Sequence, residues 1–215
     1  MVYLITKSTI LLFTRFYTRK INGIENVPRK GGFIVAGNHS SYLDDFLIPS
    51  VLIPLLDKKV HFYVKSSYFK NYFIGRFLKF YESIPVDSEK SWNHEKTNKI
   101  ALENASHFLK KGDIIGIFPE GSRSHNGILQ KAKTGIAKLA LLAGVNVLPI
   151  GIIGSNSILP RGAKFPRFKK CEVNIGKPIN LRKYHGKKIT KPLLEKITRE
   201  IMHEIAKLIG QKYNF

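Results

Sequence analysis

Short apolar runs alternate with segments of helical periodicity along most of the chain. The β-like runs are "GFIVAG" (32–37), "VHFYV" (60–64), "YESIPV" (81–86), "DIIGIF" (113–118) and "NVLPIGII" (146–153). Strands that alternate with helices are typical of an α/β protein. At 215 residues the chain has the length of one domain. The pattern therefore predicts a single α/β domain with a mixed, mostly parallel sheet flanked by helices.

Four segments between and after these runs have the apolar spacing of helices. They extend from Ser41 to Leu56 with Asp57 at the end, from about Ser91 to Lys111 with Gly112 as the cap, over 133–144 and over 190–210. In the last of them, apolar residues recur at three- and four-residue steps. This spacing predicts an amphipathic helix.

The first twenty residues, "MVYLITKSTILLFTRFYTRK", combine aliphatic, aromatic and basic side chains and contain no acid. Lys7 and Arg15 interrupt the apolar stretches, which suits a helix lying in a membrane interface better than one that crosses the bilayer. We therefore predict an amphipathic membrane-surface helix over 1–20 and a globular domain over 21–215. A helix that packs on the domain is the alternative, and the sequence leaves both open. Neither a spanning helix nor a cleaved signal peptide is expected.

The charge is the unusual feature of the composition. There are 36 Lys and Arg residues against 15 Asp and Glu residues, a net charge of +21. Such an excess predicts a polyanionic partner, either nucleic acid or an anionic membrane surface. Residues 157–191 carry 11 of the basic residues and the single acid Glu172. Apart from the strand-like "CEVNIG", we predict that they form a loop-like basic surface segment. Cys171 is the only cysteine, and we expect it to be a buried small hydrophobic residue.

A polar stretch, "GNHSSYLDD" (37–45), separates a predicted strand from a predicted helix. Histidine titrates near neutrality, and a carboxylate such as Asp44 would hold one ring N–H of His39 while the other nitrogen takes a proton from a hydroxyl. In α/β sheets, ligand sites form where strands end and helices begin. The same residues also match a capping box, with Ser41 at the N-cap and Asp44 three residues later. This stretch alone is compatible with both interpretations.

A second polar turn, "GIFPEGSRS" (116–124), also follows an apolar strand and presents Glu120, Gly121, Ser122 and Arg123 in consecutive positions. Glycine lets the backbone approach a ligand closely, and the planar arginine fork suits a phosphate. These residues predict an anion-binding turn. An ordinary turn with a solvated arginine is the alternative.

Together, the two turns resemble the hallmark blocks of glycerolipid acyltransferases of the 1-acylglycerol-3-phosphate O-acyltransferase (PlsC-like) family. The family's histidine, four residues and an aspartate are matched by His39 and Asp44. Its block Phe-Pro-Glu-Gly-Thr-Arg-Ser is matched by "FPEGSRS", with Ser122 in place of the threonine. Either block alone is a weak signal, and the combination is specific.

The resemblance extends over roughly residues 20–155. The family's lysine after the next strand looks like Lys65, and its lysine-glycine step looks like Lys133 to Gly135. One departure concerns the block Ile-Pro-Val-Asp-Arg, whose arginine helps to hold the acceptor's phosphate in the family. This chain has Ser88 at that position, so the identity of the acceptor is the least constrained part of the resemblance.

The resemblance implies transfer of a fatty acyl group from an acyl thioester, on coenzyme A or acyl carrier protein, to a hydroxyl of a lysophosphatidic-acid-like lipid. No metal and no further cofactor is implied. His39 would be the general base, and Asp44 would orient it. Backbone amides at and near Gly121 would stabilise the developing oxyanion. The implied substrate-binding residues are Lys65, Glu120, Gly121, Ser122 and Arg123.

Because lipid substrates reside in membranes, we expect a peripheral or monotopic protein on the cytoplasmic face, held at an anionic surface by the N-terminal helix and the basic segment 157–191. No nucleic-acid partner is expected, since no nucleic-acid-binding signature accompanies the charge. The alternatives are an acyltransferase with a different lysolipid or hydroxylated acceptor, an inactive lipid-binding relative, and a basic nucleic-acid-binding protein.

Overall fold

The computed structural model describes residues 12, 13, 16–87, 94–160, 162–184 and 186–215. Over these residues the α-helices and strands are, in chain order, β1 (Thr18–Asn22), β2 (Phe33–Gly37), α1 (Asp44–Leu56), β3 (Val60–Lys65), α2 (Tyr72–Phe80), β4 (Ile84–Val86), α3 (His94–Lys110), β5 (Ile114–Ile117), α4 (Gly135–Ala143), β6 (Val147–Ile153), α5 (Ser155–Ile158), β7 (Cys171–Ile175) and α6 (Lys191–Leu208). Short 3₁₀ helices occupy Ile24–Asn26, Ser66–Lys70 and Arg182–Tyr184. Residues 12, 13, 16 and 17 are helical.

The strands form one sheet in the order β1-β7-β6-β2-β5-β3-β4. All neighbours pair in parallel except β6 and β7, which are antiparallel. Every residue of the central strand β2 is buried, as a parallel strand covered on both faces requires. The predicted mixed, mostly parallel sheet is thus confirmed, and its middle is formed by β6, β2 and β5.

Helices cover both faces of this sheet. On one face, α3, α4 and α6 pack against strand residues such as Ile34 and Ile115. On the other face, α1 packs over residues such as Val35 and Leu148. Successive strand residues point to opposite faces, so each strand contributes to both apolar layers. The carboxyl ends of β2 and β5 then emerge side by side between the layers.

The helices and strands predicted after residue 30 are found, with shifted ends. Helix α1 begins at Asp44 rather than at Ser41, because the side chain of Asp44 accepts the N–H groups of Ser40 and Ser41 and residues 41–43 form a turn. Strand β4 is confined to Ile84–Val86, since Tyr81–Ser83 form a turn in which Glu82 has a φ of 51°. The predicted start of α3 at Ser91 lies outside the described residues.

Strand β1 contradicts the prediction that a helix continues to residue 20. It pairs in parallel with β7, and Arg19 binds the carboxylate of Glu172. The Asn22 amide donates to Asn174 Oδ1 over 2.7 Å, across a sequence separation of 152 residues, so no local pattern could indicate it. The rest of the predicted 1–20 helix lies mostly outside the described residues. Within the described ranges, no helix combines the length and apolar character that crossing a bilayer requires.

Two stretches are more structured than the sequence predicted. Residues 66–80, for which no element was predicted, form a 3₁₀ helix and α2. The basic segment 157–191 contains α5's last residues, the strand β7 expected from "CEVNIG", and a 3₁₀ turn. Cys171 is buried in β7, as predicted, and its Sγ donates to the carbonyl of Tyr17 over 3.2 Å. Burial raises the pKa of this thiol to about 11.

Candidate active site

His39 and Asp44 meet in the loop between β2 and α1. Their Nδ1 and Oδ2 atoms are 3.0 Å apart. The Asp44 carboxylate is fully buried, and Oδ2 also accepts the N–H groups of Ser40 and Ser41 over 2.7 and 2.8 Å. The His39 side chain is 13% exposed. An imidazole that donates from Nδ1 to this carboxylate has Nε2 available as a proton acceptor.

The carboxylate of Asp44 combines both functions that the sequence left open. It accepts the Ser41 N–H, which is one half of a capping box. The other half is altered, because the Ser41 hydroxyl accepts from Leu43 N–H over 3.1 Å and donates to the carbonyl of Leu159. The same oxygen that fixes the start of the helix therefore also holds the imidazole. Capping and orientation of His39 coexist in one group.

Phe118 holds the imidazole from the other side. Its ring stacks on that of His39 with centroids 4.0 Å apart and an interplanar angle of 12°. Phe118 follows β5, which lies next to β2 in the sheet. The ring plane of His39 is thus fixed by stacking, and its rotation is fixed by Asp44.

Glu120 connects the His39 loop to the second polar turn. Its Oε1 accepts the N–H of His39 over 2.9 Å, and its Oε2 accepts the N–H of Gln130 over 2.8 Å. The N–H of Ser124 donates to the His39 carbonyl over 2.8 Å. Burial raises the pKa of Glu120, and the two backbone donors oppose that rise. The carboxylate, predicted to bind substrate, has both oxygens engaged with the backbone and joins the two turns.

Gly121 has a φ of 69°, which explains why glycine occupies the turn. A Cβ there would lie 3.2 Å from Cε of Lys133. Its N–H donates to the carbonyl of Phe118 over 3.0 Å. The expectation that this amide is a free oxyanion donor is therefore wrong for Gly121 itself. Among the described residues, the next two N–H groups, of Ser122 and Arg123, have no acceptor.

The guanidinium of Arg123 packs on Tyr42. Its Cζ lies 3.4 Å from the centroid of the Tyr42 ring, an arrangement that favours a cation over the negative face of the aromatic ring. The Arg123 Nη1 is buried and has no hydrogen-bond partner in the part of the chain that the structure describes. The hydroxyls of Tyr42 and Tyr68 are 3.5 Å apart. The guanidinium of Arg123 is thus held in place by Tyr42, while the N–H donors of its Nη1 are unused.

Asp45, which the sequence did not single out, follows Asp44 in the first turn of α1 and is half-buried. Burial raises its pKa to about 6, with Asp44 contributing in the same direction and His39 and Arg123 opposing it. The site therefore contains two consecutive carboxylates in different environments. Asp44 is fixed by hydrogen bonds, whereas the environment of Asp45 is dominated by burial, with the charges of His39 and Arg123 acting against it.

Lys65 is the last residue of β3 and is exposed. Because β3 lies beside β5 in the sheet, Lys65 emerges at the same edge as the turn that contains Arg123, one strand farther along. The structure thus brings His39, Asp44 and the turn from Glu120 to Arg123 together, with Lys65 at the same edge. Ser88 lies outside the described residues. No group of three metal-ligating side chains lies together within the described ranges.

The sequence analysis did not single out several residues of this site. Asn38 accepts the N–H of Ile152 and donates to its carbonyl over 2.7 and 2.9 Å, which ties the end of β2 to β6. The hydroxyl of Ser40 lies 3.0 Å from that of Ser155. Asn38 and Tyr42 lie inside the His39 stretch, so their position beside the histidine was a usable signal. Ser155 and Phe118 reach the site only through the sheet.

Comparisons with known proteins find acyltransferases. A family model described as "Acyltransferase" matches residues 18–153, from the first residue of β1 to the last of β6. The 1-acyl-sn-glycerol-3-phosphate acyltransferase of Bacillus subtilis is 28% identical over 161 residues, which cover 75% of this chain and 73% of that protein. A chloroplastic 1-acyl-sn-glycerol-3-phosphate acyltransferase of Arabidopsis thaliana is 31% identical over 80% of this chain, which spans only 45% of that relative.

Among solved structures, the 1-acyl-sn-glycerophosphate acyltransferase PlsC of Thermotoga maritima superposes with a TM-score of 0.66. The match covers 94% of this chain and 79% of that chain, at 23% sequence identity. At that identity the likeness concerns the fold, and it supports the single-domain α/β architecture.

Proposed function

Because this chain belongs to the acyltransferase family, we propose that it transfers a fatty acyl group from an acyl thioester to the hydroxyl of a 1-acyl-sn-glycerol-3-phosphate-like lipid. The observation that carries the proposal is the 3.0 Å contact between His39 Nδ1 and the buried carboxylate of Asp44. The printed names of the relatives support the acceptor class. The thioester is carried by coenzyme A or by acyl carrier protein.

In the proposed reaction, His39 is the general base. Nε2 takes the proton of the acceptor hydroxyl while the hydroxyl oxygen forms a bond to the thioester carbonyl carbon. Asp44 keeps Nδ1 protonated and stabilises the imidazolium that results. The tetrahedral intermediate then collapses, the carbon–sulfur bond breaks, and the thiolate recovers the proton from Nε2. The products are an ester and a free thiol, and no acyl-enzyme forms.

The turn after β5 would supply the electrostatic part of the site. We assign the oxyanion to the N–H groups of Ser122 and Arg123, since that of Gly121 is already engaged. The unpartnered Nη1 of Arg123 would bind the acceptor's phosphate, with Lys65 as a second cation. Glu120 acts as a positioning residue, because its carboxylate fixes the backbone of His39.

The lipid acceptor and the net charge of +21 together support a peripheral or monotopic protein on the cytoplasmic face of a membrane. Anionic headgroups would be the partner of the basic surface. The donor, whether acyl-CoA or acyl carrier protein, would approach from the aqueous side.

The test is release of free thiol from acyl-CoA or acyl-acyl carrier protein in the presence of lysophosphatidic acid. His39→Ala should lower turnover by about 10²–10⁴ with folding intact, because proton removal is lost. His107→Ala, at an exposed position on α3, is the matched control and should retain wild-type turnover. Turnover of His39→Ala within a few-fold of wild type would end the assignment of the base.

A further inference from the structure

Helix α2 carries its large apolar side chains on the outside of the protein. Its only buried residue is Gly75. The exposed residues, which we call the α2 apolar face, are Tyr72, Phe73, Ile74, Phe77 and Phe80. Phe73 is 81% exposed and Phe80 is 55% exposed. An amphipathic helix that packs on a domain normally has the opposite arrangement, with its apolar stripe toward the core.

Backbone packing fixes this orientation. A Cβ on Gly75 would lie 2.4 Å from the carbonyl oxygen of Phe69, so the helix backbone rests directly on the preceding 3₁₀ helix. Asn71 caps the helix by accepting the N–H of Ile74 over 3.0 Å. A roll of the helix that buried Phe73 would bring a side chain into the space that only glycine can occupy. The outward direction of the α2 apolar face is therefore built into the fold.

The charges around this face select its partner. Lys70, Arg76 and Lys79 lie in or next to α2, and the helix itself contains no acid. The nearest acid after it, Glu82, pairs with Lys59 over 3.1 Å. Exposed aromatic residues interspersed with cations suit the headgroup region of an anionic bilayer. A second copy of this chain would present the same positive charge and be repelled.

The α2 apolar face is continuous with the candidate active site. Phe77 contacts Phe46 with ring centroids 6.3 Å apart, and Phe46 contacts Phe13 at 6.1 Å. Phe46 lies two residues after Asp44, in the first turn of α1. Tyr68, just before α2, reaches Tyr42 at the site. A bilayer bound at α2 would therefore lie beside the loop that holds His39.

A second exposed aromatic group lies farther along the same row of rings. Phe168 is 91% exposed and packs against Phe16, with centroids 6.0 Å apart. Between them is an open apolar cavity of about 470 Å³, lined by Leu12, Phe16, Phe168, Lys169 and Lys170. This cavity combines apolar side chains with lysines, as α2 does.

We propose that α2 is an interfacial docking helix, whose apolar face enters the headgroup region of an anionic leaflet and holds the His39 loop at the membrane. The purpose of such docking rests on the proposed function, since a lysolipid could then reach His39 without leaving the bilayer. The physical interaction itself does not depend on that reaction.

The test is sedimentation of the full chain with vesicles of equimolar phosphatidylcholine and phosphatidylglycerol. The double variant F73S/F77S should lower the vesicle partition coefficient about tenfold or more, because two phenyl side chains are no longer transferred from water into the bilayer. The matched control, I100S/F215S, removes two exposed apolar side chains elsewhere and should bind like wild type. All four substituted positions are at the surface, so both variants should remain folded, which their melting curves check.

Turnover separates this inference from the proposed function. F73S/F77S should lose activity on acceptor presented in vesicles and retain it on detergent-dispersed acceptor. If the wild-type protein binds vesicles but has no acyltransferase activity, and F73S/F77S loses that binding, the docking helix is supported and the proposed reaction is rejected. Unchanged vesicle binding would overturn the docking helix whatever the activity. A wild-type dimer that F73S/F77S dissociates, with vesicle binding intact, would also overturn it and identify a second copy as the partner.

Discussion

Tyr42 fixes the arginine that the proposal assigns to the acceptor's phosphate. The 3.4 Å approach of Arg123 to the Tyr42 ring leaves the guanidinium little freedom. Replacing Tyr42 by leucine keeps an apolar side chain and removes the ring's negative face. A cation–π contact contributes about 0.5–2 kcal/mol, so Tyr42→Leu should raise KM for the phosphorylated acceptor by roughly 2- to 30-fold with little change in kcat.

Tyr42→Phe is the matched control for this prediction. It retains the ring under Arg123 and loses only the hydroxyl contact with Tyr68, so its KM should remain close to that of wild type. Equal KM values for the leucine and phenylalanine variants would show that the ring does not position Arg123. Steady-state kinetics at varied acceptor concentration give both constants.

Asp45 predicts a pH-dependent component of stability. Its folded-state pKa is raised from 3.8 to about 6, so between these values the folded protein binds a proton that the unfolded chain has released. This contribution stabilises the fold below about pH 4 and is lost as the pH rises through 6. Asp45→Asn removes the ionisation and should gain melting temperature relative to wild type as the pH rises from 4 to 7. Because the other titrating groups are common to both proteins, the difference between their melting curves isolates Asp45, and a flat difference would contradict its raised pKa.

The helices and strands that bury apolar residues in the core could be predicted from the local sequence pattern. Buried parallel strands appear as apolar runs, α3, α4 and α6 have a periodic apolar face, and α1 is apolar on nearly all sides, so the sequence located them to within a few residues. The start of α1 shifted because Asp44 holds the N–H groups before the helix. Residues 18–20 of β1 were assigned to the N-terminal helix, since the partner strand β7 lies about 150 residues away in sequence.

Helix α2 was missed although its apolar residues have helical spacing. These residues face outward, and α2 buries only Gly75. Tertiary structure alone decides the direction of this face, through the close approach of Gly75 to the carbonyl of Phe69. The same segment is therefore both the largest omission of the sequence analysis and the basis of the proposed docking surface.

The sequence predicted some features of the candidate site, and others depend on tertiary structure. His39, Asp44 and the turn from Glu120 to Arg123 were found because they lie in two short blocks that resemble a known family. The stacking of Phe118 on His39 and the engagement of the Gly121 amide depend on how β2 and β5 are placed side by side. The sequence thus indicated which residues form the site, and tertiary structure decided which of their atoms are free.

The basic residues are spread over the whole molecule, and their positions decide which of them can contact a membrane. The basic segment 157–191 contains Lys169 and Lys170 beside the exposed Phe168, and the ring contacts of Phe16 connect this group to the α1 side of the sheet. Lys96 and Lys99 lie on α3, which packs on the opposite side. If the membrane binds the α1 side, only the first pair of lysines lies near anionic headgroups.

Vesicle binding should therefore depend on which lysines are removed. Each cation near an anionic surface contributes about 1 kcal/mol, so K169Q/K170Q should weaken binding to phosphatidylglycerol vesicles roughly 10- to 30-fold at low salt. K96Q/K99Q, with the same change in net charge, should have a much smaller effect. The difference should shrink as salt rises, since the screening length falls from about 10 Å at 0.1 M to about 3 Å at 1 M. Equal losses for the two double variants would mean that the charge acts through the field of the entire protein, and binding that does not weaken with salt would exclude an electrostatic contribution. The binding that remains at high salt should come from apolar contact and should disappear in F73S/F77S.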